Sequence, residues 1–194
     1  MRMIIARCAL AAVVLLSPVL RAADLPNYRL DAAIDPDARE LSVDAVVDVP
    51  TALAGTTIEF LLAAPLSIES AEPAVTRIAA DDAAGFSGIN GSSAALGKSG
   101  RAARYRLQLA PGQSSFRLRY RGRVDFGFDA PAQEYARGFN ETAGTIQKDG
   151  IYLAGSTLWY PYFGDTLFTF EIAAKSPEGW QLVSPGAGTA RGAD

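Results

Sequence analysis

The chain has 194 residues, a formal net charge of −3, one cysteine and no histidine. Histidine is the commonest metal ligand and the usual general base near neutral pH, so a histidine zinc site and a Ser-His-Asp triad are both excluded within this polypeptide. The mildly acidic balance gives no electrostatic reason to expect nucleic acid or an anionic membrane surface as partner.

Arg2 and Arg7 make a basic start, residues 8–16 form an apolar run, and Ser17-Pro18 interrupts it before Leu20-Arg21-Ala22 and Ala23. This order predicts a secretory signal peptide over residues 1–22, cleaved after Ala22 or Ala23. The apolar run is shorter than the roughly 20 residues a spanning helix needs. The expectation is a periplasmic or secreted mature chain, residues 23–194, with no membrane association after cleavage. Cys8 lies in the removed segment, so the mature chain has neither a thiol nucleophile nor a disulfide and depends on packing.

Alternation governs the mature chain. Tyr28, Leu30, Ala32 and Ile34 recur at every second position, Asp35-Pro36-Asp37 turns the chain, and Leu41, Val43, Ala45, Val47 and Val49 resume the period. That predicts a β-hairpin with one buried face. Residues 56–62 and 66–70 are two further short strands, divided by Ala63-Ala64-Pro65. Residues 85–100, rich in Gly and Ser, read as a hairpin loop. Tyr105, Leu107 and Leu109 alternate before a Pro111-Gly112 turn. Phe116, Leu118 and Tyr120 then alternate with Arg117, Arg119, Arg121 and Arg123, which read as a solvated strand face whose partners come from Asp and Glu on neighbouring strands. Residues 125–150 show little periodicity beyond a helical turn at 133–137. Phe168, Phe170 and Ile172 close the series. Strands at this density, with no long 3.6-residue pattern, predict an all-β fold: an antiparallel β-sandwich or saddle-like pair of bent sheets in one domain.

Most of the aromatic residues lie between positions 116 and 180, densest at Trp159-Tyr160-Pro161-Tyr162-Phe163. The main reading is core or domain-interface packing. An exposed patch in which Trp159, Tyr160 and Tyr162 stack on sugar rings or anchor a protein partner is the alternative. Glu134, Glu141, Asp149 and Asp165 are carboxylates of the type that run histidine-free glycoside hydrolysis, but no spacing singles out a pair. The Asn90 and Asn140 sequons match by chance and matter only in a eukaryotic secretory pathway.

Several segments taken in order carry a resemblance. They are LRYRG at 118–122, Gly150-Ile151-Tyr152, Trp159-Tyr160-Pro161, FTFEI at 168–172, SPEGW at 176–180 and LVSPG at 182–186. This order resembles the N-terminal domain of the gluzincin aminopeptidases, the aminopeptidase N family. The resemblance implies a saddle-like β-sandwich that packs against a thermolysin-like catalytic domain and helps shape its peptide site. Zinc, the H-E-x-x-H helix and the G-A-M-E-N loop would belong to that catalytic domain, so no catalytic, metal or cofactor residue is expected in this chain. The resemblance further implies a domain cut short at its C-terminal end, with a separately encoded peptidase domain or a peptide substrate as partner. One departure stands out: residues 154–158 (AGSTL) lack the family's Gln-x-Glu pattern, and Gln147 and Glu134 are weak substitutes.

Overall fold

A computed structural model describes residues 24–78, 102–126, 144–163, 167–186 and 188. Ten strands make up the described fold: β1 (Asn27–Asp35), β2 (Glu40–Asp48), β3 (Thr57–Ala63), β4 (Ser67–Glu72), β5 (Val75–Ile78), β6 (Ala102–Gln108), β7 (Ser115–Arg123), β8 (Thr145–Gln147), β9 (Gly150–Tyr152) and β10 (Thr169–Lys175). They form a five-stranded sheet in the order β10-β1-β2-β7-β4, a three-stranded sheet β3-β6-β5 and a small β8-β9 hairpin. The chain is all-β, as its two-residue period predicts. Among the described residues no helix is long and apolar enough to cross a membrane. The loop expected at 85–100 and the helical turn at 133–137 lie outside the described residues, as does the segment 1–22.

The opening hairpin pairs Asn27 with Asp48 through to Asp35 with Glu40. Its turn is built by Asp35, whose Oδ1 accepts the backbone N–H groups of Asp37 (2.9 Å) and Ala38 (3.0 Å). This Asx-type bonding is why Asp opens turns. Arg39 completes the reversal at φ 57.

One pairing departs from the antiparallel expectation. β10 runs parallel to β1, from Asn27 opposite Thr169 to Ala33 opposite Lys175. The chain comes back to the start of β1 rather than to its end: Thr169 N–H donates to the Pro26 carbonyl at 2.9 Å, and Asn27 Nδ2 to Thr169 Oγ1 at 2.7 Å. Alternation shows that a segment is a strand, but the direction of its neighbour depends on a connection the period does not contain.

The core lies between the two larger sheets. Leu41, Val43, Ala45 and Val47 of β2, with Phe116, Leu118 and Tyr120 of β7, are almost wholly buried. They face Phe60 and Leu62 of β3 and Leu107 of β6, also buried. Phe60 links the layers: its ring stacks on Tyr105 within its own sheet (5.5 Å, 20°) and on Phe116 of the other (6.0 Å, 18°).

Three of the four outward-facing arginines of β7, Arg119, Arg121 and Arg123, find the acidic partners expected of them. Arg119 holds Asp44 with two nitrogens at 2.7 and 3.2 Å, Arg121 pairs with Glu40, and Arg123 lies 3.3 Å from Asp125, which also pairs with Arg39. Donating hydrogen bonds to the Asp44 carboxylate raises the Arg119 pKa, and the hydrogen bond donated by Arg39 is the largest influence lowering that of Asp125. Both side chains of the Arg119–Asp44 pair are 55% exposed, and exposed pairs are screened and worth little. The variant Arg119→Ala is therefore expected to leave the urea midpoint unchanged within error, at low and at high salt. A clear loss at low salt would make the stripe a stabilising network.

Candidate functional site

Residues 158–163 turn an aromatic run into a wedge between the sheets. A 3₁₀ turn over Gly155–Thr157, braced by the Ala154 N–H donating to Thr157 Oγ1 at 3.0 Å, delivers Leu158 in the left-handed region at φ 55. From there the backbone runs along the edge of β3. Ala63 N–H donates to Leu158 O (2.8 Å), Leu61 N–H to Tyr162 O (2.8 Å), and Tyr162 N–H to Leu61 O (2.9 Å). The carbonyls on the other side are taken by buried tyrosines of the large sheet. Tyr120 donates its hydroxyl to Trp159 O and Tyr28 to Pro161 O, each at 2.9 Å. Every carbonyl named is thereby satisfied, as burial requires.

The same geometry decides what Trp159, Tyr160 and Tyr162 offer. Their exposures are 8%, 7% and 8%, and the Trp159 and Tyr160 rings meet edge-on at 89°. A sugar platform needs flat, roughly coplanar, exposed faces, and these three rings do not supply one. They pack as core, the main reading of the sequence. Tyr28 joins them through an edge contact to Tyr160 at 5.6 Å and a tilted one to Phe163 at 6.0 Å.

Burial holds the Tyr120 and Tyr28 hydroxyls well above the ordinary tyrosine pKa of about 10, and raises that of Tyr160. For an acid whose folded pKa is raised, the stabilising contribution is complete below the unfolded value and is lost as pH climbs from there towards the folded value. Stability is thus expected to fall steeply above about pH 10, by about 1.4 kcal/mol per pH unit for each of Tyr28 and Tyr120. Urea unfolding on either side of that pH, repeated with Tyr120→Phe, checks it, since the variant should lose a share of the slope.

Beside the wedge lies an apolar cavity of about 630 Å³. Its floor is the inner face of β1 and β10, where parallel pairing sets Tyr28 beside Phe170, Leu30 beside Ile172 and Ala32 beside Ala174. Trp159 and Tyr160 close one wall, Ile151 and Leu153 belong to another, and residues 180–185, mostly exposed, form an open rim. Tyr162 is not part of the lining; its backbone is spent on β3. Among the described residues no charged side chain lines the cavity. Of the large exposed apolar residues among the described ones, Leu182 and Val183 line this cavity, whereas Tyr152 and Leu167 do not.

Of the four carboxylate candidates only Asp149 is among the described residues, and it does not line the cavity. Glu134, Glu141 and Asp165 lie outside the described residues. Asp149 is exposed in the β8-β9 turn, and Gln147 is half-buried on β8 opposite Gly150. Among the described residues no three of His, Cys, Asp and Glu come close enough to hold a metal ion. Sequence reasoning missed the cavity because it depends on the parallel register of β1 and β10. The available signal was that both strands carry an unbroken apolar row with small residues, Ala32 and Ala174, at matching ends.

No family model matches the chain, and no curated protein matches it.

Proposed function

We propose that this chain is a non-catalytic, exported β-sandwich that acts by docking a partner polypeptide on an apolar face, in the manner of the N-terminal domain of the zinc aminopeptidases it resembles. In that role it packs against a separate peptidase domain and shapes the peptide site, and any zinc belongs to the partner. The observation that carries this reading is that Leu182 and Val183, exposed by 41% and 89%, belong to the lining of an apolar cavity that also exposes Phe168, Phe170 and Ile172 in part. Exposed apolar side chains beside an open apolar cavity mark an interaction surface. The ordered set of segments by which the chain resembles the aminopeptidase domain supports the choice of partner.

The test is direct. Purified mature chain is mixed with a zinc-aminopeptidase catalytic domain encoded in the same genome, and association is followed by calorimetry together with hydrolysis of an aminoacyl anilide. The expectation is a saturable complex that weakens at least tenfold in the double variant Leu182→Asp/Val183→Asp, and no hydrolysis by the mature chain alone. Absence of a complex, or chelator-sensitive hydrolysis by the pure chain, overturns the reading.

A further inference from the structure

Among the described residues, the two larger sheets protect three of their edges and leave one bare. β3 is covered by residues 158–163, which engage the Leu61 and Ala63 amides. β4 ends the large sheet irregularly, its register against β7 shifting between Ile68 and Ser70, and β5 is only four residues long. Bulges and short strands are common means of discouraging edge-to-edge pairing. β10 has neither. Its seven residues pair with β1 in unbroken register and contain no proline. Among the described residues no backbone hydrogen bond reaches its other edge. Gly186 stands at the tip of the Phe170 ring, where a Cβ on it would lie 3.7 Å from Cε2. The returning segment therefore meets the inner-face side chains and leaves the edge backbone open.

The parallel pairing fixes which groups that edge offers. Thr169 N–H donates to Pro26 O, and backbone groups alternate sides along a strand. Residues 169, 171, 173 and 175 thus turn their amides and carbonyls towards β1, while Phe170, Ile172 and Ala174 turn theirs outward. On the face away from the cavity β10 carries Thr169, Glu171, Ala173 and Lys175, all exposed. Among the described residues neither Glu171 nor Lys175 has an ion-pair partner.

Opposite charges placed symmetrically about a small residue are complementary to their own copy. In an antiparallel pair of β10 strands centred on Ala173, Glu171 of each copy stands opposite Lys175 of the other. Both are in non-hydrogen-bonded positions, where facing side chains lie closest. Ala173 meets Ala173 at the axis, and Ile172 exchanges backbone bonds with Ala174. Centring on Glu171 or Lys175 sets like charges face to face, and centring on Ile172 or Ala174 leaves each charge opposite an uncharged residue.

We propose that β10 pairs with β10 of a second copy about a two-fold axis at Ala173, joining the two large sheets into one. The contact is isologous and uses up the edge in both copies, so it closes at a dimer. It lies on the strand edge and the outer face, and so goes beyond the partner reading, which uses the Leu182 and Val183 rim.

Sedimentation of the purified mature chain from about 1 to about 200 µM tests it, because a contact this small belongs at the weak end of the range. The expected result is a reversible monomer–dimer equilibrium with Kd on the order of 10 µM and no larger species. E171K and K175E should each weaken the dimer at least tenfold. An equimolar mixture of these two variants sets basic positions against acidic ones, and should form a heterodimer at least as tight as the parent dimer. A174P removes an outward amide that the β1 ladder does not use, and should abolish pairing. The charge variants alter exposed side chains only, and keep the test decisive if A174P does not fold. L182D/V183D should dimerise as the parent does. A monomer at every concentration overturns the proposal, and does so without touching the partner reading if the peptidase domain still binds. A dimer indifferent to both charge reversals, or one lost in L182D/V183D, also overturns it, since the contact would then lie elsewhere.

Discussion

Phe60→Ala is expected to cost about 3–5 kcal/mol, the range for truncating a fully buried phenylalanine. Phe60 has 0% exposure and stands between Tyr105 and Phe116 in a run of near-parallel rings that crosses from one sheet to the other. Removing the middle ring leaves a void that neither neighbour can fill, because each is held by its own strand. Against a total stability of about 5–15 kcal/mol, that loss leaves a protein near its unfolding threshold. Urea unfolding measures it, and Phe60→Leu is the comparison, expected to lose well under half as much because most of the volume stays. Pairing Phe60→Ala with Phe116→Ala in a double-mutant cycle should reveal coupling of about 0.5–3 kcal/mol. Strict additivity would show that the two sheets are not joined through these rings.

Gly122→Ala is the second large effect and has a different cause. A Cβ at Gly122 would lie 2.1 Å from the Pro65 carbonyl oxygen and 2.8 Å from its carbon. Both are backbone atoms, leading directly into Leu66, which is 1% exposed. The added methyl therefore displaces the β3-β4 connection or the end of β7, since no flexible side chain can yield. Overpacking of this kind costs about 1–3 kcal/mol, which for a domain of this size corresponds to a fall in Tm of about 2–4 °C per kcal/mol. Gly150→Ala is the internal comparison. Nothing lies within 4 Å of a Cβ there, and its Tm should be unchanged within a degree or so of the parent (about 0.5 kcal/mol or less).

These two positions show how far the sequence could be read. Leu118, Tyr120 and Gly122 belong to one motif, and alternation alone places Leu118 and Tyr120 on the inner face. Nothing local distinguishes Gly122, required by a close approach of distant backbone, from Gly150, which stands in open space. The opening hairpin, the β7 arginines and the buried destination of Trp159, Tyr160 and Tyr162 were all legible, because each follows from period and side-chain type. The parallel β1–β10 pair was not, and the cavity went with it. Likewise, that tyrosines 28 and 120 would each spend a hydroxyl on a carbonyl of the 158–163 segment depends on contacts more than 30 residues apart in the chain. A sequence pattern can mark a tyrosine as buried; its partner is supplied by the fold.

The central structural claim is that residues 158–163 are a core wedge, locked between β3 and two tyrosines, and so form a wall of the cavity rather than a surface platform. Native-state hydrogen exchange at the amides of Tyr162, Leu61 and Ala63 tests it most directly, since these three N–H groups make the bonds that hold the segment to β3. The expected result is exchange only through global unfolding, as slow as that of the central amides of β2 and β7. Rapid exchange at Tyr162 while β2 and β7 stay protected would detach the segment from the core, and with it the cavity wall.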